Sequence, residues 1–239
     1  MKDEEIDEAL RKGSRVPHEV SPALLKRIAD SIHPSLRPVR PLPPNWVLTG
    51  GLVLICAAVA LAGATRTGFY GIEKLGLWER VLIFSTLSIL AWMAGKELVA
   101  ELIPGSRHRF SPHAFLTFAS VALLGVFALL FRDYHSDHFI SAGIACLLSG
   151  LLVAIPAAFL SWLLLRRGFA VNPASAGLVG GALAGVSGVT MLELHCANFQ
   201  VLHVLVWHTA VVPVSAAAGA LAGWALMRYG RRPIDGAGF

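Results

Sequence analysis

Between two strongly apolar segments lies LELHCANFQVLHVLVWH, Leu192 to His208. It gathers Glu193, His195, Cys196, His203 and His208 into one short run. Thiolate and imidazole are ligands for zinc, copper or cadmium, so all five residues are candidate metal ligands. Their spacing matches no familiar metal motif. On a regular α-helix beginning near Phe199, His203 and His208 point about 140° apart, which excludes a simple i,i+4 chelate. A second run, Asp133, His135, Asp137 and His138, falls on the same side of the chain's expected topology. The competing reading is a set of interfacial histidines that hydrogen-bond between helices, with Trp207 as an interface anchor.

The segments that must position these residues are hydrophobic. The chain has 239 residues, of which 55% are hydrophobic and 15% charged, and its mean hydropathy is +0.64. Soluble domains carry about 25% charged residues, so this composition belongs to a polytopic membrane protein. Six apolar spans are expected, at about Trp46–Gly63, Val81–Gly95, Ala114–Phe131, Phe139–Leu165, Ala174–Leu194 and Val204–Met227. The second is bracketed closely by Glu79, Arg80, Lys96 and Glu97. The fold class expected is an all-α membrane protein: a six-transmembrane-helix bundle, residues 45–239, with a cytoplasmic amphipathic-helical tail and linker, residues 1–44.

Charge sets the orientation. Arg37, Arg40, Lys96, Arg107, Arg109, Arg166, Arg167, Arg228, Arg231 and Arg232 fall on one side. Arg66, Lys74, Arg80 and Arg132 fall on the other. The positive-inside rule then puts both termini in the cytoplasm and the His/Cys stretch outside. The net charge of +5 therefore reflects topology and gives no sign of a nucleic-acid partner. The polar N-terminus MKDEEIDEALRKGSR has no apolar core of a cleavable signal peptide.

Cys196 is expected just outside the membrane, and Cys146 about two turns into the fourth span from the outer end. The pair has three readings: a disulfide, a thiol sensor, or two unpaired thiols. Cys56, in mid-span, reads as a small buried hydrophobe. Glycines at 177, 181 and 185 on the fifth span, with Ser215, Gly219 and Gly223 on the sixth, form small-residue ridges for close helix contact.

In the tail, Ser21-Pro22 reads as a helix start. Leu24, Leu25, Ile28 and Ile32 make an apolar stripe with Lys26 and Arg27 beside it. A helix this short is not stable alone in water, so it is expected to fold on something, a partner protein or the membrane surface, or to remain a loose tail. The linker LRPVRPLPP is stiffened by proline. No Walker loop, GxSxG or HExxH motif occurs, and no charged residue interrupts the middle of any span, so an enzyme is not expected.

Three features, LRPVRPLPPNW, the six-span layout, and LELHCANFQVLHVLVWH after a glycine-rich fifth helix, give the chain its resemblance to the NrsF family. These are membrane-bound anti-sigma factors, negative regulators of an extracytoplasmic-function sigma factor. The resemblance implies that the cytoplasmic tail holds that sigma factor inactive at the bacterial inner membrane. A stress signal, such as heavy metal or oxidant, then releases it. It also implies sensing by paired outer-side cysteines, here Cys146 and Cys196. No resident cofactor is implied, only a transient metal ion as signal; the partners are the sigma factor and the lipid bilayer. The alternative is a small transporter or metal-handling protein that uses the His/Cys stretch. Dependence of the metal response on transcription separates the two.

The Lys/Arg asymmetry makes a direct prediction. Reporter fusions after residue 40 and after residue 232 should both report cytoplasm; an outer-side signal from either end would overturn the topology.

Overall fold

Long apolar runs with few charges give long helices. The computed structural model describes residues 8, 21–32, 43–103, 110–135, 138–166, 168, 170 and 172–230. The chain divides into two units, Met1–Leu42 and Pro43–Phe239.

In the first unit the described helix is α1, Pro22–Ile32. Its first turn closes on the Ser21 carbonyl, which accepts from the Leu24 and Leu25 N–H groups. Leu24, Leu25 and Ile28 are 50%, 55% and 45% exposed. The Ile32 side chain lies outside the described residues. So do the acidic segment around Asp3, except Glu8, and the linker from Leu36 to Leu42.

The second unit runs α2 Asn45–Thr67, α3 Tyr70–Lys74, α4 Leu77–Leu102, α5 Pro112–Leu130, α6 Phe139–Leu165 and α7 Pro173–His195. It ends with α8 Val201–His203, a π-turn Val204–His208 and α9 Thr209–Gly230, which together form one continuous rod. Six of these stretches are long and apolar enough to cross a membrane: α2, α4, α5, α6, α7 and the segment Val201–Arg228. Local sequence sets several starts. Ser111 Oγ accepts from the Ala114 N–H ahead of Pro112. Asn172 Oδ1 accepts from the Ala174 and Ser175 N–H groups ahead of Pro173. Both are side-chain caps followed by proline in the first helical position.

The second span is longer at both ends than its apolar stretch. The charges at its first turn, Glu79 and Arg80, are satisfied locally. Glu79 Oε2 accepts from the Gly76 N–H at 2.6 Å, and Arg80 Nε donates to the Leu75 carbonyl at 2.8 Å. The short α3 was not expected from the sequence.

The fifth span, α7, is the axis of the bundle. In its most apolar window 78% of residues are buried, against 22–44% for the other five spans. It packs on α2, α4 and α6, and most extensively on α9. Glycine permits this. A Cβ at Gly177 would strike the carbonyl oxygen of Gly219, and one at Gly219 would strike that of Gly177. A Cβ at Gly181 would meet the Ser215 carbonyl, and one at Gly185 would lie 2.7 Å from Val212 Cα. The two backbones therefore touch along several turns, as small-residue ridges allow in lipid.

Gly181→Ala should drive α7 and α9 apart and cost about 1–3 kcal/mol, the usual range for overpacking. Gly125→Ala, with nothing within 4 Å of its new methyl, should not destabilise. Thermal unfolding of the two variants in detergent checks the contrast; equal melting temperatures would contradict the seam.

A buried thiol and imidazole cluster at one end of the bundle

Four side chains converge where α6, α7 and the π-turn meet. Cys146, Cys196, His203 and His208 each place a ligand atom within 4.8 Å of the other three. Cys146 Sγ and Cys196 Sγ are 3.5 Å apart, and all three cysteines are free thiols. Cys196 Sγ is 3.7 Å from His203 Nε2. His203 and His208 meet edge to face, with ring centroids 5.3 Å apart.

The π-turn makes this possible and corrects the expectation that the two histidines diverge. Thr209 N–H bonds to the Val204 carbonyl, five residues back. In that wider turn residues five apart stack in one column, as residues four apart do in an α-helix. Trp207, within the turn, packs on α6. Its ring lies against Gly143, where a Cβ would collide with it, and 5.5 Å from the Phe139 ring.

Glu193 is close to the cluster but is not one of its four members. Its Oε1 lies 2.6 Å from His208 Nδ1, and both side chains have zero exposure. Several nearby polar atoms are buried without a hydrogen-bond partner: His208 Nε2, His203 Nδ1, Glu193 Oε2 and Thr209 Oγ1. Buried polar groups are normally satisfied, so such a concentration marks a site. Cys196 follows the last residue of α7, and its thiol is pushed up in pKa by the hydrogen bond with Cys146 and by burial.

His195 points elsewhere. Its Nδ1 is 3.2 Å from the Gly68 carbonyl, and its ring stands 6.0 Å from Tyr70. Gly68 has φ +99, a left-handed conformation that glycine adopts without strain. Next to it, α3 lies close over the end of α7: a Cβ at Gly71 would sit 2.7 Å from the carbonyl oxygens of Glu193 and Cys196. The function of α3 in holding this end together had no strong sequence signal, although two glycines within four residues were a trace of it.

The loop before α6 and the loop after α7 do meet. Val201 N–H donates to the Asp133 carbonyl at 2.7 Å, and the Phe131 and Phe199 rings stack with centroids 5.1 Å apart. Yet Asp133 and His135 pair with each other on the surface, at 2.7 Å. That hydrogen bond holds the Asp133 carboxyl below its usual range. His138 sits at the start of α6 with φ 54, and Asp137 lies outside the described residues. Cys56 is remote from the cluster, buried against Leu183 of α7.

Two thiols and two imidazoles are a donor set for a soft or borderline metal ion. Tetrahedral thiolate and imidazole ligands of one such ion lie about 3–4 Å from each other, from metal–ligand bonds near 2.0–2.3 Å. The short pairs, 3.5 and 3.7 Å, already match that spacing; the full spread of up to 4.8 Å is wider, so an ion would draw the four groups together.

Fold and site define a multi-pass membrane protein with a buried thiol–imidazole cluster at one end and an apolar-faced helix near its N-terminus. The sequence model of the NrsF family, negative regulator of sigma F, matches residues 34–229, and the chain belongs to that family. Comparison with curated proteins finds no match, and comparison with solved structures finds none.

The thiol spacing carries a prediction. A disulfide needs the sulfurs to close from 3.5 Å to about 2.0 Å. Diamide, which accepts the two electrons and two protons released, should convert Cys146 and Cys196 to an intramolecular disulfide. Cys56 should still alkylate after denaturation. Peptide mapping by mass spectrometry reads the linkage; a Cys56 cross-link, or none, would count against the geometry.

Proposed function

We propose that this chain is an anti-sigma factor that holds an extracytoplasmic-function sigma factor at the bacterial inner membrane. Membership of a family of negative regulators of sigma F is the observation that carries the reading. The tail, with both termini in the cytoplasm, is the holding segment. Its α1 has an apolar face, Leu24, Leu25 and Ile28, that stands exposed. A short amphipathic helix of this kind gains most of its order by laying that face in a partner's groove. The remaining stripe residue, Ile32, extends the same face by sequence spacing.

The signal enters at the thiol and imidazole cluster. Cys146 and Cys196, with His203 and His208, receive a heavy-metal ion or an oxidant from the outer side. Only a ligand that binds the releasing conformation better than the holding one can drive release. The cluster suits that task because its members come from separate segments: Cys146 from α6, Cys196 from the end of α7, His203 from α8 and His208 from the π-turn. A ligand that draws them together changes how those segments pack. The route to the tail passes through α7, which touches α2, the span that follows the linker.

One transcription assay tests both ends. Leu25→Asp with Ile28→Asp should raise sigma-dependent transcripts without any stress, while the protein remains in the membrane. Cys196→Ser should keep the sigma factor held and lose induction by cadmium. Unchanged basal transcript in the tail variant would refute the holding role. Normal cadmium induction in Cys196→Ser would refute the sensing role.

A further inference from the structure

We propose that Glu193 is a positioning residue of the cluster: it orients His208 so that Nε2 is the nitrogen offered to a metal ion, and it is not itself a ligand. The inference rests on the metal-signal reading above and deepens it. Glu193 stands on the last turn of α7 and His208 at the end of the π-turn. Their Oε1–Nδ1 contact of 2.6 Å is fully buried. In the proposed arrangement Glu193 is the acceptor, and His208 Nδ1–H donates the hydrogen bond to it. That leaves the lone pair on Nε2, which is buried and has no hydrogen-bond partner. Nε2 is then the ring's only atom able to bind a metal ion alongside the thiols and His203.

The pair is hard to explain as a stabilising device. Burying two such groups in an apolar bundle costs several kcal/mol of desolvation, which their mutual attraction seldom exceeds. A carboxylate on the far nitrogen of a ligating imidazole, by contrast, fixes the ring's tautomer and orientation. The contact also spans two helices, so it locks the π-turn to the end of α7. The sequence alone placed Glu193 among the ligands because nothing in the spacing says which of two neighbouring polar groups faces an ion.

The test separates reach from charge. Glu193→Gln keeps an oxygen in place to accept from Nδ1–H but removes the charge. Glu193→Asp keeps the charge but withdraws it by one methylene. The full-length protein in detergent is titrated with cadmium against a chelator. Cadmium–nitrogen NMR couplings on nitrogen-labelled histidine identify the ring atom that coordinates. Glu193→Asp should lose about 10–100-fold in cadmium affinity, the usual effect of removing an outer partner. Glu193→Gln should lose less, and wild type and Gln should both bind through His208 Nε2. The reverse order of affinities, equal losses, or two unchanged affinities would overturn the positioning role. So would coordination through His208 Nδ1 in the wild type. A wild type that binds no cadmium would show a different failure, that of the metal site itself, and the positioning role would fall with it.

Discussion

The bundle depends on the contact of two backbones. Where Gly177, Gly181 and Gly185 face Gly219, Ser215 and Val212, the nearest atoms of α9 are mostly backbone. In lipid there is little hydrophobic gain in bringing helices together, because lipid tails are as apolar as leucine. Close van der Waals contact must supply the attraction, and only very small residues give enough of it. The consequence is that α7 becomes the enclosed axis, with the other spans around it. The end of that axis is where Glu193 and Cys196 sit. A buried polar cluster there is held by a rigid element, which is what precise ligand geometry requires.

The cluster is expensive in the same terms. Glu193, His203 and His208 are among the most completely enclosed side chains of the described chain. Ionisable groups in such surroundings persist when they are paired or functional. Here Glu193 bonds to His208 and Cys196 lies against Cys146 and His203, while His208 Nε2, His203 Nδ1 and Glu193 Oε2 have no partner. The arrangement is therefore incomplete as a hydrogen-bond network, and a ligand that accepts electron pairs from sulfur and nitrogen would complete it.

The six spans were legible because length and apolarity decide them almost alone. The fourth, Phe139–Leu165, was read to the residue. The second was read short because Glu79 and Arg80 looked like flanks, whereas both bond back to the turn before the helix. The site was half legible. Residue types named Cys196, His203 and His208, and topology brought in Cys146. What the sequence could not show was direction. His195, next to Cys196 in the chain, turns to the Gly68 carbonyl. His203 and His208 were assigned divergent faces because a regular helix was assumed for them. A π-turn leaves no reliable mark in residue types; here it coincides with the packing of Trp207 against Gly143 and Phe139 of α6.

That extra residue in the turn bears on how such a site evolves. A π-turn is an α-helix with one residue added and its register restored on either side. A chain lacking one residue between Val204 and Trp207 would carry its two histidines four apart on an ordinary helix, facing the same way. Histidine pairs four apart on an α-helix or five apart on a π-turn are thus equivalent solutions at this position, and a one-residue gap there is no sign of a lost site. A second insertion would turn one ring out of the column, so tolerance for length change runs in one direction only.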